Sequence, residues 1–83
     1  MANQFDLEYQ YQLYLQRVGL DENRMHPAQK KETKQAFYGA CGQILVLLRD
    51  DLSTLDEKKA MNAFQNLYNQ VSNYFLTITK QLN

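Results

Sequence analysis

The sequence predicts an all-α fold in which a short N-terminal helix packs on a long antiparallel helical hairpin. Three amphipathic segments are separated by residues that end helices, namely Gly19 and the polar turn over 51–57. The last segment carries an apolar repeat with alternating spacings of four and three, which is typical of coiled-coil-like helix packing. No pair of alternating segments joined by a tight Asn-Gly turn is present, so nothing indicates a β-hairpin.

The first helix is predicted over 4–19, although its sequence first suggests a strand. The stretch FDLEYQYQLYLQ (5–16) is apolar at every odd position, a pattern typical of a half-buried strand. A strand would need a partner, and none is visible, whereas Leu, Gln and Glu are good helix formers. On a helix the apolar residues fall on two opposite faces. One face holds Leu7, Tyr11, Tyr14, Leu15 and Val18, and the other holds Phe5, Tyr9, Leu13 and Leu20.

The second apolar face of this helix suggests that the chain associates with itself. A helix that is apolar on two sides must be covered on two sides. Either the tyrosine hydroxyls let the second face stay wet, or it is a subunit interface, which we favour because Tyr and Phe suit interface cores. A chain of 83 residues without a disulfide also has a marginal core, so oligomerisation is an expected support. The expected interface residues are Phe5, Tyr9 and Leu13.

The second helix is predicted over 27–52, with Pro27 at its first position, which suits proline. Its main apolar stripe consists of Phe37, Cys41, Ile44, Leu45, Leu48 and Leu52. Gly39 and Gly42 lie in its interior, where each glycine costs about 1 kcal/mol relative to alanine. We expect the two glycines to form a flat patch that another backbone or an aromatic ring approaches closely. Both are therefore included among the expected subunit-interface residues. The alternative is a local kink or a break into two helices.

The third helix is predicted over 54–82, opened by a capping box in which Thr54 and Glu57 satisfy free N–H groups. Its seam consists of Ala60, Phe64, Leu67, Val71, Tyr74 and Ile78, widened by Met61, Tyr68, Phe75 and Leu82. The short connection predicts that this helix runs antiparallel to the second one and packs along it.

The amino-acid composition argues against several classes of function. Nine acidic and nine basic residues balance, so a surface that tracks long nucleic acid is not expected. No secretory leader and no apolar run of about 20 residues is present, which predicts a single cytoplasmic domain over 1–83 without a membrane anchor. One cysteine and one histidine do not make a zinc-site pattern, and no metal or cofactor is expected.

The sequence contains no catalytic constellation, which predicts a non-enzymatic protein. Cys41 belongs to the apolar stripe and lies roughly 22 Å along the helix from His26, too far for a nucleophile–base pair. The acidic pairs at 50–51 and 56–57 are sequence neighbours that diverge on a helix instead of facing each other. The GACG stretch lacks the spacing of a phosphate-binding loop and follows no strand.

The clearest candidate for ligand binding is a basic cluster at the start of the second helix. A helix N-terminus flanked by Arg and Lys binds anions well. The alternative is that these side chains are simply solvated and that their charge is balanced by the end of the neighbouring helix. The expected ligand-binding residues are Arg24, His26, Lys30, Lys31, Lys34 and Tyr11, with the cations holding phosphate and the tyrosine stacking on a base.

The stretch RMHPAQKKETKQAFYGACGQILVLLRDDL (24–52) and the amphipathic helix after it resemble small uncharacterised all-helical proteins of tailed phages and prophages. The resemblance rests on MHP before a Lys/Glu-rich helix start, on AFYGACGQ and on LLRDDL. It implies a phage context, hence the host cytoplasm, and offers no catalytic residues to carry over; in that context short all-helical proteins often act by stoichiometric binding. The plan fits an anti-defence homo-oligomer that sequesters a small anionic ligand, such as a cyclic or other nucleotide signal. The alternatives are direct inhibition of a host defence protein and a small structural phage component.

Overall fold

The computed structural model describes residues 3–82, and it describes side chains from 3 to 78. This part of the chain is helical, with no strand, which confirms the all-α class with three helices. The helices are α1 (Leu7–Val18), α2 (Pro27–Asp50) and α3 (Glu57–Leu82), and two 3₁₀ turns, Glu22–Arg24 and Leu52–Thr54, connect them. Over the described range, none of the helices combines the length and the apolar content that a membrane crossing requires.

Both ends of α1 follow from local hydrogen bonding. The Asp6 carboxylate accepts a hydrogen bond from the Tyr9 N–H at 3.1 Å, so Asp6 is the N-cap. The helix therefore begins later than the predicted residue 4. Gly19 adopts φ 73°, a left-handed conformation that glycine accepts without strain, and this ends the helix as predicted.

The second helix begins at Pro27 as predicted and continues through both interior glycines without a break. It ends at Asp50, two residues before the predicted end, because Leu52 already belongs to the 3₁₀ turn. A Cβ atom at Gly39 or Gly42 would meet nothing within 4 Å. The close approach predicted at these glycines is therefore wrong within this chain, and their place in an interface with another molecule stays a prediction.

The predicted capping box at the start of α3 is wrong. The Thr54 hydroxyl donates to the Asp51 carbonyl at 2.6 Å and so closes the preceding turn. The N-cap is Asp56, whose carboxylate accepts from the Lys59 N–H at 2.9 Å. Asp is a stronger N-cap than Thr, and here it sets the helix start at Glu57.

The described residues divide into two compact units, and the boundary between them lies inside α2, after Ile44. The first unit contains the two buried side chains of the described part, Tyr11, which is fully buried, and Leu15. The Tyr11 ring contacts two rings of α2, with centroid separations of 5.2 Å to Phe37 and 6.5 Å to Tyr38. The core of this unit is thus the aromatic contact between α1 and α2, on the predicted first face of α1.

The second unit begins at Leu45 and holds the end of α2, the 3₁₀ turn and α3. None of its described side chains is buried; one side of α3, at Ala60, Ala63 and Leu67, is half-buried. The side chain of Leu82, part of the predicted seam, lies outside the described residues. Packing of α3 along the whole of α2 and a single domain over 1–83 stay predictions.

Candidate functional site

His26 serves first as the N-cap of α2. Its Nδ1 accepts a hydrogen bond from the Ala28 N–H at 3.1 Å, so Nδ1 carries no proton in this arrangement. One of the N–H groups that would attract an anion at this helix start is therefore already satisfied. The imidazole has only Nε2 left with which to donate to a ligand.

Arg24 lies in the 3₁₀ turn before α2 and remains accessible. Its side chain is 90% exposed, and Nε lies 3.9 Å from a carboxylate oxygen of Asp21. The other oxygen of that carboxylate accepts from the Asn23 N–H at 2.9 Å. An exposed ion pair of this length contributes little to stability, so Arg24 can turn to another anion at small cost.

Lys34 holds α1 against α2. Its Nζ lies 3.0 Å from Glu8 Oε2 and 5.6 Å from the centroid of the Tyr11 ring. The same carboxylate oxygen accepts from the Tyr38 hydroxyl at 3.2 Å. Chiefly through this lysine, the pKa of Glu8 is lowered below its ordinary 4.5, and the carboxylate in turn raises the pKa of Lys34. A ligand would therefore have to compete with Glu8 for Lys34.

Lys30 and Lys31 are the cations of the cluster without an acidic partner. Both are exposed, and neither makes an ion pair among residues 3–78. The first turn of α2 contains no acidic residue. Of the five predicted phosphate-binding cations, these two and Arg24 are accessible, whereas the structure gives Lys34 and His26 other roles.

Tyr11 occupies a different environment from the one that base stacking requires. It is fully buried between the rings of α2, and its hydroxyl has no hydrogen-bond partner. Burial raises the pKa of this hydroxyl above its ordinary value. No face of the ring is open, so Tyr11 cannot stack on a base in this structure.

The interface predicted on α1 is only partly open. Phe5 precedes the helix and is 87% exposed, whereas Tyr9 and Leu13 are half-buried. Leu20, at the other end of the same stripe, is also exposed. The predicted second face of α1 is thus uncovered mainly at its two ends.

The largest uncovered apolar surface lies on α3 instead. Met61, Phe64, Tyr68 and Val71 succeed one another at spacings of three, four and three, and each is between 53% and 65% exposed. We call these four residues the open stripe. Their spacing in the sequence predicted a single seam against α2 and did not reveal that they form a separate surface. Two pairs among them, Met61 with Tyr68 and Phe64 with Val71, are seven residues apart. This spacing was the sequence evidence that the apolar face of α3 is wider than one partner helix can cover.

A cleft of about 420 Å³ lies in the second unit where the connector meets α3. It is lined by Leu47, Asp51, Leu52, Thr54, Leu55, Ala63 and Leu67. Most of these side chains are apolar, and Asp51 is the one charged residue among them. The cleft suits an apolar side chain better than an anionic ligand.

No protein-family model, curated protein or solved structure matches the chain. Its function must therefore be inferred from the arrangement of its own side chains.

Proposed function

We propose that the chain is a non-enzymatic binding protein that acts as a homo-oligomer. The observation that supports this proposal is the open stripe, in which four neighbouring large apolar side chains are exposed. Their exposure to water is unfavourable, and a contiguous apolar patch marks an interaction surface. The unit that bears the stripe has no buried side chain of its own among the described residues. Association would supply the core that this unit lacks.

The predicted long hairpin and the oligomer use different sides of α3. The half-buried side with Ala60, Ala63 and Leu67 is suited to α2, since small residues let two helices approach closely. The open stripe is turned away from that side by roughly one quarter of the helix circumference, at 100° per residue. A hairpin within the chain and contact with another copy are therefore compatible.

The oligomeric state tests this proposal directly. We expect sedimentation equilibrium of the unmodified protein to show a defined oligomer that dissociates on dilution. Phe64→Asp with Val71→Asp should shift it to the monomer, because two carboxylates would be buried without partners. The matched control, Asn62→Asp with Asn69→Asp, adds the same charge on the other side of α3 and should leave the oligomer intact. A wild-type protein that is monomeric at every concentration, or a control that dissociates equally, contradicts the proposal.

A second candidate function is sequestration of a small phosphate-bearing ligand, such as a nucleotide signal, by the oligomer. The observation that favours it is the pair Lys30 and Lys31, which lie without acidic partners among residues 3–78, a few residues after the exposed Arg24. Phosphate oxygens are good acceptors for such cations. A role in phage anti-defence rests on the resemblance alone and stays a prediction, as do direct inhibition of a host protein and a structural role in a phage particle.

Native mass spectrometry with linear and cyclic nucleotides tests the ligand. We expect the oligomer to gain the mass of a nucleotide, and Lys30→Glu with Lys31→Glu to abolish the gain. Lys58→Glu with Lys59→Glu makes the same charge change at the start of α3 and should preserve it. An oligomer that ignores every nucleotide rules out this ligand class and favours a protein partner. Phe5→Asp with Tyr9→Asp would then test the α1 surface.

A further inference from the structure

We infer that α3 pairs with α3 of a second copy through the open stripe, with the two helices antiparallel about a twofold axis. This inference rests on the proposed homo-oligomer and adds which surfaces meet and in which direction. The stripe has the spacing of positions a and d of a heptad, with Met61 and Tyr68 at a, and with Phe64 and Val71 at d. Phe75 and Ile78 continue the same spacing. A second helix of the same kind is the partner that such a spacing fits.

Charge favours a second copy as the occupant. No charged residue lies between Lys59 and Lys80, so α3 can meet itself over five turns without like-charge contact. Gln65 and Ser72 flank the stripe, and their side chains both donate and accept hydrogen bonds, so they meet a second copy without charge repulsion. A strongly charged partner would find no complementary charges along this surface.

The area is also sufficient for a pair. A large aromatic side chain offers about 150–250 Å², so the exposed fractions of the stripe with Phe75 add up to on the order of 500–600 Å² per copy. Two copies would remove roughly twice that area from water, which clears the ~1,000 Å² expected of a specific interface.

Side-chain size favours the antiparallel direction. With residues 61 and 78 in one layer, Tyr68 faces Val71 of the second copy in the two central layers, a large side chain against a small one, while the layers outside them pair Phe64 with Phe75. A parallel pair would instead stack Tyr68 on its own copy and Phe64 on its own copy. Parallel dimers prefer β-branched residues at a and Leu at d, and this stripe has Met and Tyr at a.

The cations at the start of α3 favour the same direction. A parallel pair would bring Lys58 and Lys59 of both copies to the same end, together with two helix N-termini that already carry partial positive charge. In the antiparallel pair they lie at opposite ends.

Distances between two spin labels test the direction. In a Cys41→Ser background, single labels are placed through Asn62→Cys or Asn69→Cys, two exposed positions on the side of α3 away from the stripe. The antiparallel axis passes between residues 69 and 70. Labels at 69 are then almost level along the helix axis, whereas labels at 62 are offset by 15 residues, or roughly 22 Å. We expect a clearly longer distance at 62 than at 69, measured by double electron–electron resonance.

The outcomes separate this inference from the proposed function. Equal distances at the two sites would mean a parallel pair and overturn the antiparallel inference while the oligomer stands. An oligomer in which neither site gives a short distance would mean contact through another surface. A labelled protein that sediments as a monomer, with the helical circular dichroism of the wild type, removes the oligomer itself. Introducing Phe64→Asp with Val71→Asp should abolish the dipolar signal between the labels at both sites. If the signal persists, the two copies do not meet through the open stripe.

Discussion

The unit that ends at Ile44 buries Tyr11 and Leu15, whereas no described side chain from Leu45 onward is buried. Yet α3, in the second unit, is the most strongly amphipathic of the three helices. The difference shows that the strength of an apolar pattern does not indicate how much of it one chain covers. The first unit draws its stability from contacts within the chain, whereas the second leaves its open stripe exposed.

The largest expected contrast comes from one substitution made in both units. Tyr11→Ala empties the aromatic core between α1 and α2 and should cost about 3–5 kcal/mol of unfolding free energy. Tyr68→Ala removes an exposed ring and should cost less than about 1 kcal/mol in the monomer. Urea unfolding at a concentration below that of association measures both. Equal losses would show that Tyr68 is as important to the isolated chain as Tyr11, and the contrast between the units would be lost.

The two aspartate N-caps should be more nearly equal. Asp6→Ala and Asp56→Ala each remove a side-chain bond to a helix N–H, at 3.1 and 2.9 Å, and each should cost about 1 kcal/mol. Asp51 makes no such bond at the 3₁₀ turn, so Asp51→Ala is the control and should cost little. Far-ultraviolet circular dichroism and urea titration follow the change. A control as damaging as the two cap variants would refute the assignment of these caps.

The buried hydroxyl of Tyr11 should be a net cost to the first unit. Because it has no hydrogen-bond partner, Tyr11→Phe should leave stability unchanged or raise it by up to about 1 kcal/mol. The comparison with Tyr11→Ala separates the ring from the hydroxyl. If Tyr11→Phe lowers the melting temperature, the hydroxyl has a partner such as a water molecule.

The smallest expected effect is electrostatic. The lowered pKa of Glu8 means that its pairing with Lys34 stabilises the fold above the ordinary value of 4.5 and is lost as the pH falls through the lowered pKa. The raised pKa of Lys34 gives the reverse sign, with stability lost as the pH rises beyond 10.5. We expect melting temperatures to fall less between pH 5.5 and pH 3 for Glu8→Gln than for the wild type. The difference should be small and salt-sensitive because both groups are exposed. Identical profiles would mean that the pair has no energetic role.

Local chemistry made much of the fold predictable. Pro27 and Gly19 have conformational preferences that act through their own backbone, and both mark helix ends as the sequence indicated. The cap of α3 was mispredicted because Thr54 and Asp56 both suit the position, and hydrogen bonds to the preceding turn decided between them.

The candidate site was less predictable, for a different physical reason. Helical periodicity identifies an apolar face, as it did for Tyr11, but it does not identify what lies against that face. Tyr11 was expected to contact a ligand and is buried, while Tyr68 was expected to be buried and is exposed. Lys34 was grouped with the other cations by position, and only the fold shows that Glu8 occupies it.

The clustering of rings in the first unit gives that unit an optical signal of its own, and the absence of tryptophan leaves a second signal free for the other unit. The chain has no tryptophan, so its near-ultraviolet spectrum arises from tyrosine and phenylalanine. Tyr11, Tyr14, Phe37 and Tyr38 are held within ring contacts of 5.2–6.5 Å, and fixed asymmetric packing of this kind produces near-ultraviolet circular dichroism. A tryptophan introduced at Tyr68 would instead report by its fluorescence on water leaving the open stripe. Folding of the first unit and the proposed association of the second can thus be followed in the same cuvette.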